Sequence, residues 1–433
     1  MNNAYLSKYF SYVGAKRLTA VEVDLARSNQ HEFNASDPLM PLFGTEKLKD
    51  LPVKFIYIDD DSENSIAVNS YVTWYDSRKK DPTRSAEYRL YFKDNDAIKK
   101  AGVNDMIYFA KKTDNSFLII IAADGSTTER QLTWLLGIPG RFTKRYGVAE
   151  IRKSDKKIDI TASWILNALG IEPEETETDL LDNLLLKAKY DRSFPSTSEF
   201  STFARNTLVE AIDPIESPDH AIMQWMNWEE KLFKRLEHKI IEERLKRGFD
   251  VDNIINVDNF IQFSLSVQNR RKARAGFAFE NHLQTLFHSN DLRNTRTAVT
   301  ENKSKPDFIF PHIGLYMNPL FKPDLLTMLG VKTTCKDRWR QILSEAKRID
   351  IKHLLTLEPG ISENQTDEMK EHKVQLILPS SLHESYLPTQ KPWLYSVADF
   401  IALAKKRQVA TVQQGFLLSE PEQKTKRKRK TKS

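Results

Sequence analysis

The feature that most limits what this chain can fold into is a change of apolar periodicity partway along it. Up to about residue 165, short runs rich in Val, Ile, Tyr and Phe recur between polar, turn-rich stretches: VKFIYI (53–58), SYVTWY (70–75), EYRLYF (87–92) and SFLIIIAA (116–123). Runs of that length and spacing predict an all-β barrel or sandwich with few helices. From about Ser198 the pattern turns helical. Between Asp219 and Arg247, residues Ile222, Trp225, Met226, Leu232, Phe233, Leu236, Ile240 and Leu245 fall at three- and four-residue intervals, giving one apolar face opposite a charged one, with Gly248 as the stop. Such a stripe reads as core or dimer contact, and the charges opposite it as a solvated face.

The remainder alternates. A helix over 275–288, strands over 307–310 and 325–333, a helix over 338–349 and strands over 351–357 and 374–379 predict an α/β domain with a mixed sheet. Between the two halves, IEPEETETDLLD (171–182) carries six acidic residues and no basic one, which reads as an exposed linker. The expected organisation is therefore a domain over 1–165, a linker over 166–190, a second domain over 191–415 and a disordered basic tail over 416–433.

Charge narrows the function less than it first suggests. The chain has 433 residues and a net charge of +6. Glu420 to Ser433 holds seven basic and two acidic residues, which leaves the other 419 at +1. A nucleic-acid surface must come from local clustering, of which Arg270, Arg271, Lys272 and Arg274 are the densest case outside the tail. No apolar run is long enough to span a membrane, and the N-terminus lacks a secretory layout. The single cysteine, Cys335, excludes an intrachain disulfide and a multi-cysteine zinc site, and points to a reducing, cytoplasmic setting. It lacks the partners of a thiol catalyst and reads as a packing residue.

Four residues of the second domain could form one reactive set. Asp307 opens a strand, Lys332 stands near the end of the next, Glu345 follows on the next helix, and Glu280 lies on the helix before the first strand. Phosphodiester hydrolysis needs a hard divalent ion held by carboxylate oxygens. A lysine can orient the attacking water and stabilise phosphate charge. Asp307 and Glu345 are the main candidate metal ligands and Glu280 a secondary one. An isolated Pro-Asp followed by a lysine is more often a turn and a surface charge.

The stretches NRRKARAG (269–276), KPDFIFP (305–311), VKTTCKDRWRQIL (331–343) and LILPSSLHESY (376–386) resemble the catalytic domain of EcoRII-type restriction endonucleases, members of the PD-(D/E)XK nuclease superfamily. The similarity runs from FPSTSEF (194–200) to about residue 390. A weaker one covers YFSYVGAKRLTA (9–20) and YDSRKKDPTR (75–84), which look like the family's effector-DNA pseudobarrel.

The resemblance implies a multi-domain protein: an N-terminal all-β pseudobarrel that binds DNA and a C-terminal α/β restriction-endonuclease-like domain. It makes Asp307 the metal-binding aspartate, Lys332 the catalytic lysine, Glu345 the displaced acid and Glu280 the helix glutamate. The commoner pattern puts an acid two positions before the lysine; here that position is Gly330. Lys336, Asp337 and Arg338 become the base readers, a chemistry that suits guanine O6 and N7 and cytosine N4. Arg270, Arg271, Lys272 and Arg274 are candidate backbone contacts. Lys16, Arg17, His31, Arg78, Arg84 and Arg89 are candidate contacts to a second DNA copy, although Pro82 interrupts the match.

The implied activity is Mg2+-dependent cleavage of double-stranded DNA at a short CC–N–GG-like site, with CCWGG as one form, by a homodimer whose N-terminal domain binds a second copy of the site and relieves inhibition. The central base pair would be handled separately, for which extruded bases are one route. Trp225 and Trp228 lie in the matching helical region but read as core. The competing readings are a non-cleaving sequence-specific DNA-binding regulator and a repair or nicking nuclease. The complete Asp307, Lys332 and Glu345 set speaks against the first, the KDR tripeptide against the second.

Overall fold

The apolar runs of the first third become the strands of one sheet. The computed structural model describes residues 4–23, 31–34, 37–60, 65–81, 83–138, 146–153, 156–190, 193–251, 254–336 and 338–416. Asp337, Pro82 and the basic tail from residue 417 onward lie outside the described residues.

The strands are β1 (Phe10–Arg17), β2 (Glu32–Asn34), β3 (Leu48–Ile58), β4 (Ile66–Asp76), β5 (Tyr88–Phe92), β6 (Met106–Lys112), β7 (Phe117–Ala122) and β8 (Gly147–Ala149). Their order is β2-β5-β4-β3-β7-β6-β1-β8, antiparallel throughout except for the parallel β3–β7 pair. Every residue of β7 is buried, as its unbroken apolar run requires. Strand alternation divides them between two cores. Phe117, Ile119 and Ile121 join Phe33, Phe55, Trp74, Phe92 and Phe109 inside the curl of the sheet. Leu118, Ile120 and Ala122 join Ile56, Met106 and Tyr108 on the other face.

The helices α1 (Ala20–Val23), α2 (Met40–Phe43) and α3 (Asp96–Lys100) are short, whereas α4 (Thr127–Leu135) and α5 (Ile160–Ala168) close that second face with Leu132, Leu135, Ala162, Ile165 and Leu166. The opposite side of α5 belongs elsewhere. Ile160 and Trp164 pack into the core of the C-terminal half.

The acidic stretch expected to be an exposed linker is folded. Its C-terminal end enters α6 (Thr178–Lys187), whose Leu181 and Leu185 pack with Phe200 of α7 (Thr197–Thr207) and with Trp228, Leu232, Phe233 and Leu236 of α8 (Pro218–Arg247). The physical reason is charge matching: Asp182 accepts from Arg235 at 2.5 and 2.7 Å and pairs with Lys239 at 2.9 Å. Acid-rich composition here marks a partner for the basic flank of α8, which is only partly solvated. Trp225 and Trp228 are core residues, as expected.

Helix α8 starts with Pro218 and stops at Gly248, whose φ of +73° suits glycine. A two-residue ribbon, β9 (Asp250–Val251) with β10 (Ile254–Ile255), turns the chain into α9 (Val257–Ser289). This helix begins far before the expected residue 275. Its outer half leaves Val257, Phe260, Ile261 and Leu265 exposed, so no buried face imprints a clear apolar period there.

The second sheet has five strands in the order β11 (Thr295–Arg296), β12 (Phe308–Phe310), β13 (Thr327–Lys332), β14 (Lys352–Thr356) and β15 (Val374–Ile377). The first two pairings are antiparallel and the last two parallel, the expected mixed sheet. The helices α10 (Ile313–Met317), α11 (Glu363–Glu371) and α12 (Val397–Gln413) complete this half. Phe287 of α9 meets Phe308, Phe310 and Phe400 with ring centroids 5.2–5.9 Å apart and anchors helix to sheet. Phe287→Ala should cost about 3–5 kcal/mol of unfolding free energy, read as a lower denaturant midpoint; a change below about 1 kcal/mol would show that the aromatic cluster does not hold the two layers together.

Candidate active site

The geometry begins with a glycine. A Cβ on Gly330, in the middle of β13, would lie 2.6 Å from Ile342 Cγ2, closer than packed carbons allow. Because position 330 has no side chain, Ile342 can lie against the strand. Ile342 sits in a 3-10 segment over Arg338–Ser344, and Glu345 follows directly, its N–H donating to the Ile342 carbonyl at 3.1 Å. The missing acid two residues before Lys332 and the presence of Glu345 thus share one packing cause.

The expected helix over 338–349 is not formed as such. The segment is 3-10 and ends at Ser344. Buried Lys352 explains the stop: its Nζ donates to the carbonyls of Glu345, Ala346 and Ile349 at 2.6, 2.7 and 2.6 Å. Those carbonyls are satisfied by an ammonium and do not need amides four residues on. Ala346 adopts φ +44°, which breaks the helical run.

Strand register brings the first acid to the lysine. Phe308 pairs with Leu329, so Asp307 stands beside the Gly330–Val331 peptide. Its Oδ2 accepts from the Val331 N–H at 2.7 Å and from Lys332 Nζ at 3.3 Å. Glu345 completes the group. Burial first, and the negative charge of Asp307 second, push its carboxyl up to about 7, against the opposing pull of Lys332 and Lys352. Glu345 Oε2 is buried with no hydrogen-bond partner. A solvent-shielded carboxylate oxygen, aimed nowhere within the protein and facing a second carboxylate, fits a hard divalent cation.

Glu280 is placed differently. Its Oε2 accepts from Arg296 Nε and Nη2 at 3.1 and 2.7 Å, so a cation already occupies the carboxylate. Among the described residues no group of three His, Cys, Asp or Glu is set to hold a metal. The site is a pair of acids with a lysine, and Glu280 stands in its wall.

A cleft of about 700 Å³ is lined by Lys332, though by neither Asp307 nor Glu345. Glu280, Lys332, Lys336 and Arg338 line it on one side, and Trp164 and Asn167 of α5 on another. Lys336 and Arg338 are exposed, and Arg338 Nη2 donates to the Thr334 carbonyl and hydroxyl at 2.7 and 2.9 Å. Asp337 lies outside the described residues. Cys335 is fully buried and burial pushes its thiol upward, which fits packing and not chemistry.

The basic cluster on α9 is less available than its sequence suggests. Arg274 is buried, stacked over Phe200 and Phe233, and donates to the Pro195 carbonyl at 3.3 Å. It faces the core because the helix turns that position inward. Arg270 lies over the Phe194 ring, and Arg271 pairs with Glu237 while still lining the cleft. The Lys272 side chain lies outside the described residues.

The N-terminal candidates are mostly engaged within their own domain. Lys16 is 1% exposed and bonded to Glu22, because its position on β1 points inward. Arg17 bridges Asp124 and Glu129, Arg78 pairs with Glu87, and Arg89 joins Glu32 to Glu87. His31 packs edge-on against Phe92. Arg84 is exposed.

Sequence reasoning missed Lys352, Arg296 and Glu358. A charged residue inside an apolar strand run, as in IKHLLTLEPG (351–360), was the available signal for the first and last.

The mixed sheet brings Asp307, Lys332 and a displaced Glu345 together at one edge, the placement expected from the resemblance noted in the sequence. Residues 233–401 match the family described as EcoRII C terminal. The type II restriction enzyme EcoRII of Escherichia coli is 41% identical over 243 residues, covering 56% of this chain. The chain spans 57% of the length of that relative. Among solved structures, metal-depleted Ecl18kI with uncleaved, modified DNA is similar at a TM-score of 0.43 and 17% identity, over 57% of this chain and 89% of that one. The PspGI–substrate DNA complex is similar at 0.38 and 15%, over 54% and 94%.

The raised Glu345 carboxyl has a signed consequence. The folded, metal-free protein holds this proton more tightly than the unfolded chain, so the group's contribution to stability falls as pH rises from the ordinary carboxyl range through about 7. Urea unfolding in chelator should show wild type losing stability over that window relative to Glu345→Gln; parallel curves for the two proteins would refute the burial of this carboxyl beside Asp307.

Proposed function

We propose that the chain is a site-specific double-strand DNA endonuclease of a restriction system, hydrolysing phosphodiester bonds with Mg2+. The observation that carries this reading is the unpartnered, buried Oε2 of Glu345 beside Asp307 and Lys332, with Lys332 also lining a cleft that holds Lys336 and Arg338. A non-cleaving binder has no use for a costly unsatisfied carboxylate next to a second one.

Asp307 and Glu345 would hold the cation through carboxylate oxygens. When bound, the cation supplies the charge that makes a water nucleophilic and neutralises phosphate oxygens. Lys332, fixed by Asp307, would orient a water for attack and stabilise the charge building on the phosphate oxygens. Lys352 keeps Glu345 in place through the backbone it grips. Glu280 would join as a ligand only on leaving Arg296.

Arg338 and Lys336 would donate to guanines and Asp337 accept from cytosine in a CC–N–GG-like site, CCWGG being one form. Arg270, Arg271 and Lys272 would touch the DNA backbone. A symmetric site calls for a homodimer, which the exposed Val257, Phe260, Ile261 and Leu265 on α9 support. The N-terminal domain would bind a second site copy as effector, with Arg84 as its exposed contact. The presence of Trp164 and Asn167 in the cleft wall supports control by that domain. No helix among the described residues is long and apolar enough to cross a membrane.

Unmethylated plasmid incubated with the protein and Mg2+ should give discrete fragments, whereas Asp307→Ala, Lys332→Ala and chelator-treated protein should give none while still binding DNA. Binding without cutting by the wild type would leave the regulator reading in its place. Arg338→Ala should weaken specific binding by roughly 1–3 kcal/mol. An unchanged ratio of specific to nonspecific affinity would remove Arg338 from base reading.

A further inference from the structure

Glu358 ends the apolar run of β14 as a carboxylate 4% exposed, outside the catalytic group. Its Oε2 accepts from the backbone N–H of Cys335 and, at 3.3 Å, from that of Lys336. The second amide belongs to the first residue of the reader tripeptide. Lys336 adopts φ +41°, a conformation that a residue with a side chain holds only when its surroundings impose it. Glu358 is itself fixed: its N–H donates to Thr356 Oγ1 at 3.1 Å and its carbonyl accepts from the Tyr386 hydroxyl at 2.8 Å.

The other oxygen faces the N-terminal domain. Gln131 of α4 donates through Nε2 to Glu358 Oε1 at 3.4 Å and to the Pro359 carbonyl at 3.2 Å. Thr127 Oγ1 accepts from the Ser362 N–H at 3.1 Å. Gly360, at φ +60°, lies so near α4 that a Cβ there would be 3.1 Å from Arg130 Cβ. The first turn of α4 is in turn held by Asp60, which accepts from the Thr127 and Thr128 amides at 3.0 and 2.9 Å. Backbone amides on one side and a side-chain amide on the other make Glu358 the shared partner of two domains.

We propose that Glu358 is a positioning residue that ties the backbone of Cys335 and Lys336, where the reader tripeptide begins, to the seating of α4, so that the N-terminal domain acts on base discrimination through this side chain. Seated and unseated α4 differ by the Gln131 and Thr127 contacts, which is the differential interaction such coupling requires. The DNA part of the inference rests on the endonuclease reading; the structural part does not.

The test uses the full chain without DNA and then with it. Hydrogen exchange of the peptide covering 333–340 should accelerate at least tenfold in Glu358→Leu, stay within about threefold of wild type in Glu358→Gln, which keeps an acceptor oxygen, and rise several-fold in Gln131→Leu, a change confined to α4. The ratio of specific to nonspecific DNA binding should fall in the same order, with nonspecific affinity unchanged. If Glu358→Leu does not fold, Gln131→Leu decides alone. Unaltered loop exchange in Gln131→Leu would overturn the coupling even where the wild type cuts DNA at a defined site. A wild type that discriminates no sequence would instead remove the endonuclease reading and the DNA part with it, while the exchange arm still decides whether Glu358 joins loop to helix.

Discussion

The close approach of Ile342 to Gly330 is the contact on which the reactive end of this molecule depends. A side chain at position 330 would push the 338–344 segment off the sheet and carry Glu345 away from Asp307 and Lys332. Lys352 secures the turn that follows this segment with three bonds to the carbonyls of Glu345, Ala346 and Ile349. The second acid is delivered by packing and by an ammonium grip on carbonyls, and not by the strand that carries the lysine. A single van der Waals constraint therefore decides which acid can approach Asp307 and Lys332.

Electrostatics builds on that placement. Two carboxylates and one ammonium in a half-buried group cannot all be satisfied by each other, and Glu345 is the one left with an idle oxygen. Burial raises its proton affinity in the empty site, and a bound cation would reverse that preference. Elsewhere the chain spends its charge on internal pairs: Asp182 with Arg235, Arg17 with Glu129, Glu280 with Arg296. Of the 65 basic residues, those that look most available by clustering are often the ones already engaged.

Much of the architecture was legible before the structure. The strand runs at 53–58, 70–75, 87–92 and 116–123 all lie in the curled N-terminal sheet, and the mixed character of the second sheet followed from its strand and helix alternation. What stayed hidden had physical causes. The outer half of α9 has no buried face, so its periodicity is blurred. The stop of the 338–344 segment depends on Lys352, whose partners at 345, 346 and 349 its own sequence position does not reveal. The acidic stretch before α6 looked like a linker because composition alone does not reveal the basic helix it faces. Of the candidate site, Asp307, Lys332 and Glu345 converge, while Glu280, Arg274 and Lys16 turn to other partners, an outcome set by side-chain direction that residue type cannot encode.

Helix α5 has one face in each of two hydrophobic cores. Drawing the halves apart would uncover Ile160 and Trp164, at a cost of roughly 2–4 kcal/mol for side chains of that size. The helix is thus a wall common to both halves: neither can shed it without exposing apolar surface that belongs to the other.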